Sequence, residues 1–124
     1  MEKNYSKQIL TPIKMSKLEK LGIDISDASA YLSNRKKLQW KTGYQKLEPG
    51  SNFIYTIWDI VEKLPKKISL DGYDFSLVIH PGENIMYFDE VYGSTLVEFK
   101  KLSWQSDIDM FFDCFEWCIL NKHV

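Results

Sequence analysis

Few side chains in this sequence are of the kinds that do chemistry, and their spacing decides what they can do. There are two histidines, His80 and His123, and two cysteines, Cys114 and Cys118, in 124 residues. General acid–base or nucleophilic catalysis needs such a group within reach of a partner. His80 stands directly before Pro81-Gly82 with no recognisable nucleophile or acid around it, and His123, next to last, is expected to fray. The cysteines are four apart, which on a helix puts both on one face with Cβ atoms about 5–6 Å apart. That spacing suits packing in a core. The Cys-x-x-Cys spacing of redox motifs is absent, and no further ligand stands nearby for a metal. The carboxylates Asp71, Asp74, Asp89, Glu90, Asp109, Asp113 and Glu116 are candidates for acid–base work, but the pattern accounts for them as turn, cap and polar-face residues. Asp89-Glu90 reads as a bulge or exposed edge in a strand. No nucleophile elbow, phosphate loop, zinc helix or calcium loop occurs. The expectation is a protein that is not an enzyme, with no catalytic residues, cofactor or metal.

Two other patterns point to binding. Arg35, Lys36, Lys37 and Lys41 surround Trp40 and Tyr44, so one short segment (35–46) offers cations for phosphates and aromatic faces for bases. Lys63, Lys66 and Lys67 form a second basic cluster. Net charge is -1 overall, but residues 1–68 hold a basic excess and residues 69–124 an acidic one. No motif of a nucleic-acid module accompanies the basic segment. The second pattern is the aromatic content: 7 Phe, 7 Tyr and 4 Trp, or 15% of the chain. Large amphipathic rings are favoured at protein interfaces. Tyr44, Tyr73, Tyr87 and Tyr92 fall near turns or strand ends and are the expected partner-binding residues. An open sheet edge would be a further way to engage a protein partner.

The elements that must position these residues can be read from punctuation and period. A polar leader covers residues 1–10. Thr11-Pro12 has the form of an N-cap followed by proline at the first helical position, and Gly22 is the matching stop. Residues 28–33 and 38–46 read as a hairpin around the basic turn 34–37, and 49–52 as a loop. A second helix starts at Thr56, with Asp59 placed for a reciprocal cap and Ile57, Ile60, Val61 and Leu64 in one stripe, and ends at Pro65. Strands follow over 67–70, 73–80, 85–92 and 95–102, the first two joined by Asp71-Gly72, a hairpin signal. Ser106 caps a last helix to about Asn121, the most apolar of the three. Strands grouped rather than alternating with helices predict an α+β fold: one domain over residues 11–124, an antiparallel meander and about three helices, with the C-terminal helix packed on the sheet as the core helix.

Composition sets the outer bounds. Hydrophobic residues at 44% and charged residues at 27% are ordinary globular values, which excludes a disordered tail, a collagen, a coiled coil and a disulfide scaffold. No apolar run approaches the length of a membrane span, and Met1 to Tyr5 lead into no apolar stretch, so we expect no signal peptide and a cytoplasmic location.

Three stretches together resemble a known group: Leu21-Gly22-Ile23-Asp24 running into Ile25-Ser26-Asp27-Ala28-Ser29, Leu64-Pro65-Lys66-Lys67-Ile68, and Glu116-Trp117-Cys118-Ile119-Leu120-Asn121-Lys122. This set is similar to a loose group of small uncharacterised proteins encoded by anaerobic gut bacteria and their phages. The resemblance spans most of the chain, but its motifs are helix stops and core positions and carry no catalytic residue. It implies a small cytoplasmic protein, of phage or mobile-element setting, acting as an accessory or inhibitor by binding another protein. The alternative is a nucleic-acid-binding accessory protein using Arg35, Lys36, Lys37, Trp40 and Lys41.

Overall fold

The computed structural model describes residues 9–41 and 47–124. The chain divides into two compact units, Met1–Ile60 and Val61–Val124. Its class is α+β, with three helices and two antiparallel sheets among the described residues.

In the first unit, helix α1 (Pro12–Lys20) begins as its sequence demands. The Thr11 hydroxyl accepts from the Lys14 amide at 3.3 Å, and Pro12 occupies the first turn, where a missing N–H costs nothing. Met15 and Leu18 are its buried residues. The helix stops where Gly22 takes φ +93° and Ile23 N–H donates back to Leu18. A single 3-10 turn, Ile25–Asp27, leads into the sheet, with the Asp24 carboxylate accepting from Ser26 N–H.

Strands β1 (Ala30–Leu32) and β2 (Leu38–Trp40) form the expected hairpin. Ser33 N–H donates to the Lys37 carbonyl and closes the turn 34–36, with Lys36 in the left-handed region at φ 63°. A third strand, β3 (Asn52–Ile54), lies on the other side of β1, giving the order β2-β1-β3. The expected loop at 49–52 therefore ends one residue early. Three residues with a single buried side chain give no alternation to read. The predicted strand 38–46 stops at Trp40 within the described residues, and 42–46 lie outside them. Ile9 and Leu10, grouped from sequence with the leader, pair just beyond β3: Leu10 N–H donates to Tyr55 at 3.0 Å and Ile9 bridges Thr56.

Helix α2 (Ile57–Lys63) contains the boundary between the units. Its start is the reciprocal cap read from sequence: Thr56 N–H donates to Asp59 at 2.9 Å and Asp59 N–H to the Thr56 hydroxyl at 3.3 Å.

The second unit is a four-stranded meander, β4 (Lys67–Leu70), β5 (Tyr73–His80), β6 (Asn84–Asp89) and β7 (Ser94–Lys100), in sequential order. Asp71 (φ 51°) and Gly72 (φ 83°) make the tight β4–β5 turn. Helix α3 (Asp107–Leu120) packs on β6 and β7 as the core helix of this unit. It buries Ile108, Phe111, Phe112, Phe115, Cys114 and Cys118, and each large apolar side chain so removed from water contributes about 1.5–3 kcal/mol before entropy is counted. Both cysteines lie in this core, as their spacing implied.

The structure departs from three of the expectations. Tyr87 is fully buried, not at the surface, because Ile85, Tyr87 and Asp89 share the inward side of β6. Its hydroxyl donates to the Pro65 carbonyl at 2.8 Å and receives the Cys118 thiol at 3.7 Å. Asp89 is neither a bulge nor an edge residue. It ends β6 in a buried position, and the bulge lies between Tyr87 and Phe88. His123 is not frayed: its N–H donates to Cys118 at 2.8 Å and its ring lies 5.3 Å from that of Trp117. No helix among the described residues is long and apolar enough to cross a membrane.

Candidate functional site

The site is built by the first unit's sheet and the start of α2. In an antiparallel sheet, directly paired residues point to the same face. Trp40 pairs with Ala30, and Ala30 pairs with Ile54. Ala30 and Ile54 are completely buried, so Trp40 also projects to the core side of the sheet. Yet it stands on the outer strand, where the core beneath it runs out, and 55% of its surface is exposed. With Thr56, Ile57 and Trp58 it lines a cavity of about 320 Å³. Trp58 is 75% exposed. The result is a mainly apolar groove lined by two exposed indoles.

What holds the groove is a buried carboxylate. Asp59 accepts from Thr56 N–H at 2.9 Å, from the Thr56 hydroxyl at 3.2 Å, from Ser29 N–H at 3.1 Å and from the Ser29 hydroxyl. Ser29 directly precedes β1 and Thr56 directly precedes α2, so this one side chain fixes the strand that carries Trp40's partner against the helix that carries Trp58. Three of these bonds fall on Oδ2 and one on Oδ1, so the carboxylate ties the two segments together as a scaffold group. Tyr55 supports the same junction from the core side. Its hydroxyl donates to Asp27 at 2.8 Å, and burial, followed by that carboxylate, pushes the phenol well above its usual range.

The predicted basic set is divided by the same register. Arg35, Lys36 and Lys37 are exposed at the hairpin turn. Lys41 belongs to the opposite face from Trp40: it lies 5.1 Å from the centre of the Phe53 ring, and its ammonium donates to the Ser26 carbonyl. The structure brings the three turn cations and Trp40 onto one hairpin but does not join Lys41 to them.

The predicted tyrosines are divided too. Tyr44 lies outside the described residues, and Tyr87 is in the core. Tyr73 and Tyr92 do meet in the second unit, edge to face with ring centres 5.2 Å apart, at 38% and 69% exposure. Asp89 arranges them: its carboxylate accepts from Asp74 N–H at 3.1 Å, Val91 N–H at 2.8 Å and Tyr92 N–H at 3.1 Å. This holds the turn that carries Tyr92 over the start of β5.

Trp58 was missed from sequence although a signal for it existed. It falls off the Ile57, Ile60, Val61, Leu64 stripe, so the period that placed the helix also placed this indole outside the core. Another polar cluster joins the ends of β5, β6 and β7, where the His80 ring meets the Asn84 amide at 2.6 Å and Asn84 donates to Glu98 at 2.6 Å. Among the described residues no group of three or more His, Cys, Asp or Glu side chains is placed to hold a metal ion. Compared with protein-family models, with curated proteins and with solved structures, the chain matches none.

Proposed function

We propose that this chain is a non-enzymatic, cytoplasmic protein-binding module, of accessory or inhibitor type, that takes its partner in the Trp40–Trp58 groove. The observation that carries this reading is the pair of exposed indoles that line one mainly apolar cavity. Solvated tryptophan surface is costly to leave open, and tryptophan is the residue type most enriched at binding hot spots. The backbone around the groove is held before any partner arrives, by Asp59 at Ser29 and Thr56, which lowers the ordering cost of association. The phage or mobile-element setting rests on the resemblance described above.

The test is recovery of partners from a cell lysate after nuclease treatment, with the intact chain and with the Trp40→Ala/Trp58→Ala double variant side by side. A protein retained by the first and lost by the second is expected, since truncating one hot-spot anchor costs about 2 kcal/mol or more, roughly thirtyfold in affinity. Equal recovery by both chains refutes the groove. One observation favours a second reading, a single-stranded nucleic acid stacked on Trp40: the exposed cations of Arg35, Lys36 and Lys37 on the same hairpin. That reading requires affinity to fall steeply with salt.

A further inference from the structure

The β1–β2 register says more about the groove than its lining does. Ser33 N–H donates to Lys37 and Lys41 N–H donates to Ser29, so the residue pairs Ser33/Lys37 and Ser29/Lys41 are hydrogen-bonded ones. In an antiparallel ladder such pairs alternate, which makes Tyr31/Gln39 the next bonded pair. Leu38 and Trp40 are then the residues whose backbone N–H and C=O groups turn away from β1, toward the side of the sheet where β2 is the terminal strand among the described residues. The edge that offers these groups is the one that carries the exposed indole.

We infer that β2 accepts an added strand, and that the occupant is an extended acidic peptide segment of a partner protein. This inference rests on the protein-binding reading and specifies its partner. An added strand would lie about 4.8 Å outside β2 and direct alternate side chains to the core side of the sheet, beside Trp40 and over Ile57 and Trp58. Charge complementarity sets its chemistry. Arg35, Lys36 and Lys37 are exposed at the turn, and residues 29–41 contain no acid. The three turn cations stand at one end of β2, about 10 Å along the strand from Trp40. A segment that alternates apolar residues with Asp or Glu meets both features: apolar side chains enter the groove and carboxylates reach the turn.

The test pans the full chain against a phage-displayed library of random linear peptides about twelve residues long, then measures one enriched peptide, labelled, by fluorescence anisotropy. Enrichment of acidic sequences with alternating apolar residues is expected. Leu38→Pro removes one outward N–H and no bond to β1, a change edge strands tolerate, and it should weaken the peptide about tenfold or more. Hydrogen exchange on the unaltered chain reads the same claim without a substitution: the Leu38 and Trp40 amides should become protected when the peptide binds. Enriched sequences without acidic excess overturn the inference. So does an acidic peptide that leaves both amides unprotected. If such a peptide still needs Trp58, the groove reading survives and only strand addition falls. If Trp40→Ala/Trp58→Ala leaves its affinity unchanged, both fall. A library that yields no binder, with oligodeoxythymidine binding instead or a second copy of the chain found on the edge by sedimentation, also overturns it.

Discussion

Replacing Asp59 by alanine should loosen the groove without touching either indole. The carboxylate is buried and accepts from two backbone N–H groups and two hydroxyls. The hydroxyls of Ser29 and Thr56 can rotate to other acceptors, but the two amides cannot. A hydrogen bond to a charged group contributes about 1.5–3 kcal/mol net, and the cap at Thr56 alone is worth about 1 kcal/mol. These terms overlap, so a loss of about 3 kcal/mol is expected, against a total stability of about 5–15 kcal/mol. For a chain of this length that is a fall in Tm of roughly 10 °C. Asp59→Asn keeps one acceptor oxygen and should lose about half as much. Thermal and urea unfolding give the total. Because the chain has two units, amide exchange at Ser29 and Thr56 should be read alongside, and both amides should lose protection in the alanine variant. A loss below about 0.5 kcal/mol, within the range of an ordinary surface substitution, would refute the assignment of Asp59 as the pin of the groove.

Alkaline pH should destabilise the chain through Tyr55 and Tyr87, whose phenols burial holds above their usual range. Tyrosines of the unfolded chain ionise near pH 10, before the buried ones, so the stability they contribute is complete below about pH 10 and falls above it, by about 1.4 kcal/mol per pH unit for each phenol. Urea unfolding between about pH 9 and 11 should show this slope, and Tyr55→Phe should reduce it by about half; a flat profile would contradict the burial of both hydroxyls. Gly72→Ala should cost about 1 kcal/mol, because φ 83° strains any Cβ while no atom lies within 4 Å of the added methyl group. The loss should appear in urea unfolding, and no loss would mean that the turn relaxes to another type.

The parts of this fold that were legible in the sequence are those fixed by local chemistry. Thr11-Pro12, Thr56 with Asp59, Asp71-Gly72 and Ser106 with Asp109 each satisfy their own backbone, and each formed what its spacing implied. The α3 stripe was readable because Ile108, Phe111, Phe112 and Phe115 recur at the helical period. Strand β3 was not, since three residues are too few to show a period. The inward turn of Tyr87 was hidden for another reason. Ile85, Met86, Tyr87 and Phe88 are all apolar, so hydropathy gives β6 no phase and only pairing with β5 and β7 decides it. The groove depends on both kinds of hidden information. Trp40 projects to the core side through its pairing with Ala30, and Ile54 on the unread strand β3 covers the same side. The basic cluster failed as a unit on the same ground. Sequence proximity placed Lys41 beside Trp40, while the two-residue alternation of the strand sends neighbours to opposite faces.

The most direct test of the central claim is calorimetric titration of the nuclease-resistant partner into the intact chain, the Trp40→Ala/Trp58→Ala variant and a Tyr73→Arg/Tyr92→Arg variant, each verified as folded. The account predicts that the first pair of substitutions weakens binding by more than about a hundredfold while the second leaves it within about twofold. Unchanged affinity in the tryptophan variant, or loss confined to the tyrosine variant, would contradict it and move the contact surface to the second unit.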